Sequence, residues 1–197
     1  MHGRECVRAC FPGAMRLANA KWPASAKMCA VLAKEPLSGG RRTVLDWTMK
    51  TLLVPVDFSA VTEKVIEAAL AQAKAFRGRV HLLHVIQPPV VGSGEFALPV
   101  EIVEEAVNTN KRNALQKLDG RLETFRGAGI ECSASTVVGA PDFAILEEAA
   151  KIEADAIIMG SHGHGRLYDF LVGSTASGVI KRTKCAVLVI PPADKHG

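Results

Sequence analysis

Gly160, Gly163 and Gly173 stand at the spacing G-x2-G-x9-G, with Ser174 and Thr175 directly after the last glycine. Glycines let an anion approach backbone N–H groups with no Cβ in the way. Hydroxyl side chains where a helix is about to start add hydrogen-bond donors, and the uncompensated N–H groups of a helix N-terminus favour phosphate. The same residues could simply turn the chain and cap a helix. Three glycines with Ser-Thr make phosphate binding the better reading. His162 and His164 could ligate a metal, but they lie two residues apart with no acidic partner beside them, so polar loop residues are expected. A P-loop lysine, a G-x-G-x-x-G fingerprint and a G-x-S-x-G elbow are all missing from the stretch.

The elements around this loop follow from hydropathy patterning. The run TLLVPV at 51–56 is apolar throughout, as a strand buried on both faces is. Asp57 ends it, and Ser59 is placed to cap a helix over 60–76 with Val61, Val65, Ala68, Ala69 and Gln72 at helical spacing. Gly78 is read as its stop. A second strand is expected over 80–85, then a Pro/Gly loop and a long helix from Pro99 to about Arg126. Its stripe is Ile102, Val103, Ala106, Val107, Ala114, Leu115, Leu118 and Leu122. A third, more polar strand over 130–138 belongs nearer an edge. Pro141 suits the first turn of a helix reaching Glu153. The remaining elements are a strand over 156–159, a helix over 174–182 and a strand over 186–190.

Five strands alternating with four helices give an α/β fold, a five-stranded parallel sheet with helices on both faces. Such sheets bind ligands beyond the carboxyl ends of their strands. Asp57 and the glycine stretch both fall there.

Bulk properties narrow the function. The chain has 197 residues, 48% of them apolar, and no apolar run of transmembrane length. Aromatics are 5%, without basic clusters among them, which argues against nucleic-acid binding by stacking. The formal charge is +4, but residues 1–48 hold eight Lys/Arg against three Asp/Glu, leaving the rest at −1. Residues 1–48 show no sustained periodicity. They are read as an irregular or disordered extension, with Met49 a candidate native start and 49–193 the folded domain. An Arg-rich targeting segment is the alternative. The five cysteines lack paired spacing, so free thiols in the cytoplasm are expected.

The glycine stretch, LLVPVDFS near residue 52 and KCAVLVIPP near residue 184 together resemble the universal stress protein family, over about residues 50–192. The resemblance implies the adenine nucleotide alpha hydrolase-like sheet with strand order 3-2-1-4-5, and ATP with Mg2+ as ligand. It implies that Asp57, preceded by Pro55 and Val56, meets the ribose or adenine end, and that Val85 contacts adenine through its backbone. Met159 would lie against the nucleotide. Gly160, His162 and Gly163 would line the phosphate path, and Gly173, Ser174 and Thr175 would close it. Many relatives carry Val-Thr after the motif serine; here Thr175-Ala176 follows it, and the next hydroxyl is Ser177.

The resemblance also implies a homodimer through the last strand, Ala186–Ile190, whose free edge would otherwise invite association. The other reading is an edge covered by the N-terminal segment. The expected function is nucleotide-dependent regulation in the stress response, with no catalytic residue assigned and a protein partner the sequence does not identify. A slow ATPase or phosphoryl-transfer enzyme is the alternative. Phosphoryl transfer needs cations and a positioned base, and the loop offers only Arg166, Asp169 and an unoriented His162.

Overall fold

A computed structural model describes residues 29–31, 49–88, 99–161 and 172–192. The elements are β1 (Cys29–Val31), β2 (Thr51–Pro55), α1 (Thr62–Phe76), β3 (Arg79–Ile86), α2 (Val100–Arg126), β4 (Cys132–Val138), α3 (Pro141–Lys151), β5 (Ala156–Gly160), α4 (Ser174–Arg182) and β6 (Ala186–Ile190). They form one sheet in the order β1-β6-β5-β2-β3-β4. The five strands from β2 onward are parallel, and in chain order they take the expected 3-2-1-4-5 arrangement.

Alternating side chains divide the core into two layers, because successive residues of a strand point to opposite faces. Leu52, Val54, Val56, Val80, Leu82 and Ile158 pack under α1 and α2, against Val65, Ala69, Leu118, Leu122 and Phe125. Leu53, Leu83, Ile157, Met159, Val187 and Val189 pack under α3 and α4, against Ile145, Ala149, Ala176 and Val179. The polar strand β4 is an edge strand with no fully buried residue.

Several local expectations are corrected. The first helix begins at Thr62, with Val61 at the N-cap and no side-chain cap bond. Ser59 therefore does not cap it, and Asp57 organises the turn instead. The buried stripe of α1 includes Ile66 and Ala73 rather than Ala68 and Gln72. Gly78 is not the left-handed stop: Arg77 takes that conformation (φ 52°). Gly78 is needed for close approach, because a Cβ there would lie 2.7 Å from the Met49 carbonyl oxygen.

The long helix buries only Ala114, Leu118, Leu122 and Phe125, while Ile102 and Leu115 of its expected stripe are exposed. Length explains the exposure of Ile102 near the start of the helix. A helix of 27 residues runs about 40 Å at 1.5 Å per residue. The eight residues of β3 run about 26 Å, so the first turns of α2 overhang the sheet.

Within the segment read as irregular, Cys29–Val31 forms a strand antiparallel to β6, with Ala30 opposite Leu188. Three residues are too few to show periodicity, and pairing at an edge needs only backbone groups.

Candidate functional site

β2 and β5 are hydrogen-bonded neighbours, with Leu52 opposite Ala156 and Leu53 opposite Ile157. The helix that follows β2 lies on one face of the sheet and the helix that follows β5 lies on the other. Their connections therefore diverge, leaving a crevice at the carboxyl ends of these two strands. This is the topological switch point at which α/β sheets take ligands.

Asp57 sits at the β2 side of the crevice. Its Oδ1 accepts from the Ser59 N–H at 3.0 Å and from Thr62 Oγ1 at 3.5 Å. The carboxylate is thus held within the turn that leads into α1. Phe58 between them has φ 60°, a left-handed conformation that costs a non-glycine residue about 1–2 kcal/mol. Val56 faces the α1/α2 layer, its N–H donating to the Leu83 carbonyl at 2.8 Å. Pro55 is half-buried at the end of β2.

Met159 and Val85 belong to the opposite layer, under α3 and α4. Met159 is 5% exposed, so only its edge is open to a ligand. Gly160 ends β5, opposite Ile190 of β6. Ser161 follows it, its N–H donating to the Ile190 carbonyl at 2.8 Å and its carbonyl accepting from Gly173 N–H at 2.7 Å. That last bond brings Gly160 and Gly173, distant in sequence, to one place.

At α4, Gly173 is the N-cap with φ −59° and ψ 162°, and no side chain caps the helix. The first intrahelical bond runs from Ser177 N–H to the Gly173 carbonyl. The N–H groups of Ser174, Thr175 and Ala176 precede it and have no helical acceptor. Ala176 is itself core, 2% exposed. His162 and Gly163 lie outside the described residues, with His164, Arg166 and Asp169.

A second concavity lies at the opposite, amino ends of the strands, an open groove of about 410 Å³ bordered by Arg79, His81, Ser133 and Lys151. Its central group is already engaged. His81 Nδ1 is 2.8 Å from Ser133 Oγ, and Nε2 is 2.8 Å from Ser135 Oγ. Glu148 Oε1 is 3.5 Å from the same Nε2. Burial lowers the His81 pKa below its ordinary 6.5; Glu148 opposes the shift and Lys151 adds to it. Among the described residues, no three His, Cys, Asp or Glu side chains gather to hold a metal. No helix among them is long and apolar enough to cross a membrane.

Residues 48–191 match the model of the universal stress protein family. The chain belongs to that family. Universal stress protein MJ0531 of Methanocaldococcus jannaschii is 32% identical over 152 residues, covering 75% of this chain and 85% of that one. Universal stress protein MJ0577 of the same organism is 33% identical, covering 72% and 94%. The solved structure of MJ0577 superposes with a TM-score of 0.66 at 31% identity, over 75% of this chain and 99% of that one. The universal stress protein UspA from Lactobacillus plantarum, 22% identical, shares the fold at a TM-score of 0.64 over 72% and 97%. Membership in the family places this protein's function in the stress response.

Phe58, His84 and Ser161 are site neighbours that sequence reasoning did not assign. Ser161 carried a readable signal, since it directly follows a strand's terminal glycine. Phe58 and His84 did not, because their contact forms only when β2 and β3 pair.

Proposed function

We propose that this universal stress protein binds ATP, with Mg2+, and acts as a nucleotide-dependent regulator with little or no turnover. The observation that carries the reading is the switch point between β2 and β5, with the uncapped N-terminus of α4 on one side and Asp57 on the other. The residues fit the ligand. Unpaired N–H groups at a helix start suit phosphate, a carboxylate suits the hydroxyls of a ribose, and Val85 and Met159 offer an apolar wall. Bound Mg2+ would neutralise phosphate charge. A cytoplasmic location goes with this reading.

Denaturing the purified protein and identifying the released ligand by mass spectrometry tests it, together with titration of ATP in the presence of Mg2+. Gly173→Trp is the decisive variant. Its φ and ψ are open to any residue, so the fold should survive while a bulky side chain fills the phosphate path. Loss of binding with retained stability supports the reading; no measurable ATP affinity in the unaltered protein sinks it. Turnover at an ordinary enzymatic rate, on the order of 1–10 per second, would favour the phosphoryl-transfer alternative instead.

A homodimer through the β6 edge belongs to the same proposal. In the described structure β1 occupies that edge, so pairing of two β6 strands requires β1 to leave.

A further inference from the structure

The turn after β2 gathers unfavourable features that the strand-to-helix connection does not require. Phe58 holds a left-handed backbone. Ser59 Oγ, Arg121 Nε and Thr136 Oγ1 are buried with no hydrogen-bond partner among the described residues. Each is tied to Phe58 by sequence, contact or register. Ser59 follows it in sequence, Arg121 lies over it, and Thr136 is the register partner of His84, on which the ring stacks. Strain and orphaned polar atoms concentrate where a structure is held for a purpose other than stability.

The contacts that hold it converge on one side chain. The Phe58 ring stacks on His84 with centroids 4.5 Å apart. Lys117 Nζ is 5.1 Å and the Arg121 guanidinium 5.4 Å from the ring centroid, within the range of cation–π attraction. His84 cannot turn away, because its Nδ1–H donates to the Val56 carbonyl at 2.8 Å. Arg121 is fixed in turn by Glu63 of α1 at 2.7 Å. Three elements, β3, α2 and α1, thus hold the residue beside Asp57. Among the described residues, the Ser59 and Thr62 bonds to Asp57 Oδ1 both come from beyond Phe58, so the Phe58 backbone helps set where the carboxylate stands relative to these donors.

We propose that Phe58 is a positioning residue of the nucleotide site, its ring clamped by His84, Lys117 and Arg121 so that the left-handed turn aims the Asp57 carboxylate at the ribose hydroxyls. The proposal rests on the ATP reading above. It makes affinity depend on α2, which supplies both cations: displacing that helix releases the ring and weakens the ribose contact.

The experiment is calorimetric titration of the full chain with ATP and with its 2′,3′-dideoxy analogue, which carries the same charge and base but no ribose hydroxyl. Phe58→Ala should weaken ATP about tenfold, or 1.4 kcal/mol, and the analogue less than twofold. Phe58→Gly keeps the backbone free to be left-handed but lacks the ring, and should lose ATP affinity to a similar degree. Phe58→Tyr should recover most of the loss. Lys117→Gln with Arg121→Gln removes both cations and leaves the apolar core residues unchanged. It should weaken ATP about threefold more than the analogue.

Phe58→Ala binding ATP within twofold of the unaltered protein overturns the proposal and leaves the ATP reading standing. So does equal weakening of ATP and the analogue, which marks general damage to the fold. Failure of the unaltered protein to bind ATP removes both readings together.

Discussion

The Gly173 N–H donates to the Ser161 carbonyl at 2.7 Å, joining the end of β5 to the start of α4. Gly173→Pro tests this link. Proline matches the observed φ of −59° but has no N–H to donate. Losing the bond takes one hydrogen bond from the buried residue Ser161, at a cost of about 1–3 kcal/mol. The stiffer unfolded chain returns about 0.4–1 kcal/mol. A net loss of about 1 kcal/mol in chemical denaturation is expected, with a larger proportional fall in ATP affinity.

At the other end of the molecule, Gly78→Ala should destabilise the fold. The added methyl would meet Met49 O at 2.7 Å and Lys50 O at 3.1 Å. Both are backbone atoms at the entry to β2 and have no rotamer to move to. A loss of about 1–3 kcal/mol in urea denaturation is expected. Unchanged stability would show that the start of β2 can shift freely.

Asp155 fixes the same strand from the other side. Its Oδ2 accepts from the N–H groups of Lys50 and Thr51, both at 2.8 Å. Asp155→Ala removes two charge-assisted bonds at a largely exposed site, and should cost about 1–2 kcal/mol. Asp155→Asn keeps an acceptor oxygen and should recover part of that loss.

Stability should fall in mild acid through His81. Its folded pKa lies below the ordinary 6.5 because burial disfavours the charged ring. The unfolded chain therefore binds the proton more readily, and the neutral ring's contribution is complete above about 6.5 and lost as pH falls from there toward the lowered value. The groups facing the ring are Ser133 and Ser135 of β4 and Glu148 and Lys151 of α3. Urea midpoints measured from pH 8 down to 5 should decline below 6.5, and His81→Gln should flatten that decline.

The edge of β6 gives a prediction about assembly. Successive residues of a strand direct their backbone groups to opposite sides, so Ala30→Pro together with Val31→Pro removes at least one donor to β6. The doubly substituted chain should show a larger dimer fraction in light scattering than the unaltered one. A monomer in both cases would argue against self-association through this edge.

Much of the architecture was legible because it is local. Apolar runs such as TLLVPV and AVLVI mark buried parallel strands, and the helices between them force crossovers. Gly160, Gly173 and Ser174 mark the end of one strand and the start of the next helix, as the structure has them. Boundaries and details failed where another group overrode a residue's own preference. Ser59 is a good capping residue by type, but the Asp57 carboxylate occupies the turn. The stripe of α2 continued in sequence past the point where the sheet ends beneath it.

The sequence by itself determined the alternation of the five parallel strands with their helices, the family and the glycines that end β5 and cap α4, since short-range hydropathy and glycine placement encode them. Only the tertiary structure decided that α1 and α4 leave β2 and β5 for opposite faces, that β1 covers the β6 edge, and that His84, Lys117 and Arg121 meet on Phe58. Those are contacts between residues far apart in the chain, and no local pattern records them, because their geometry exists only once the strands have paired.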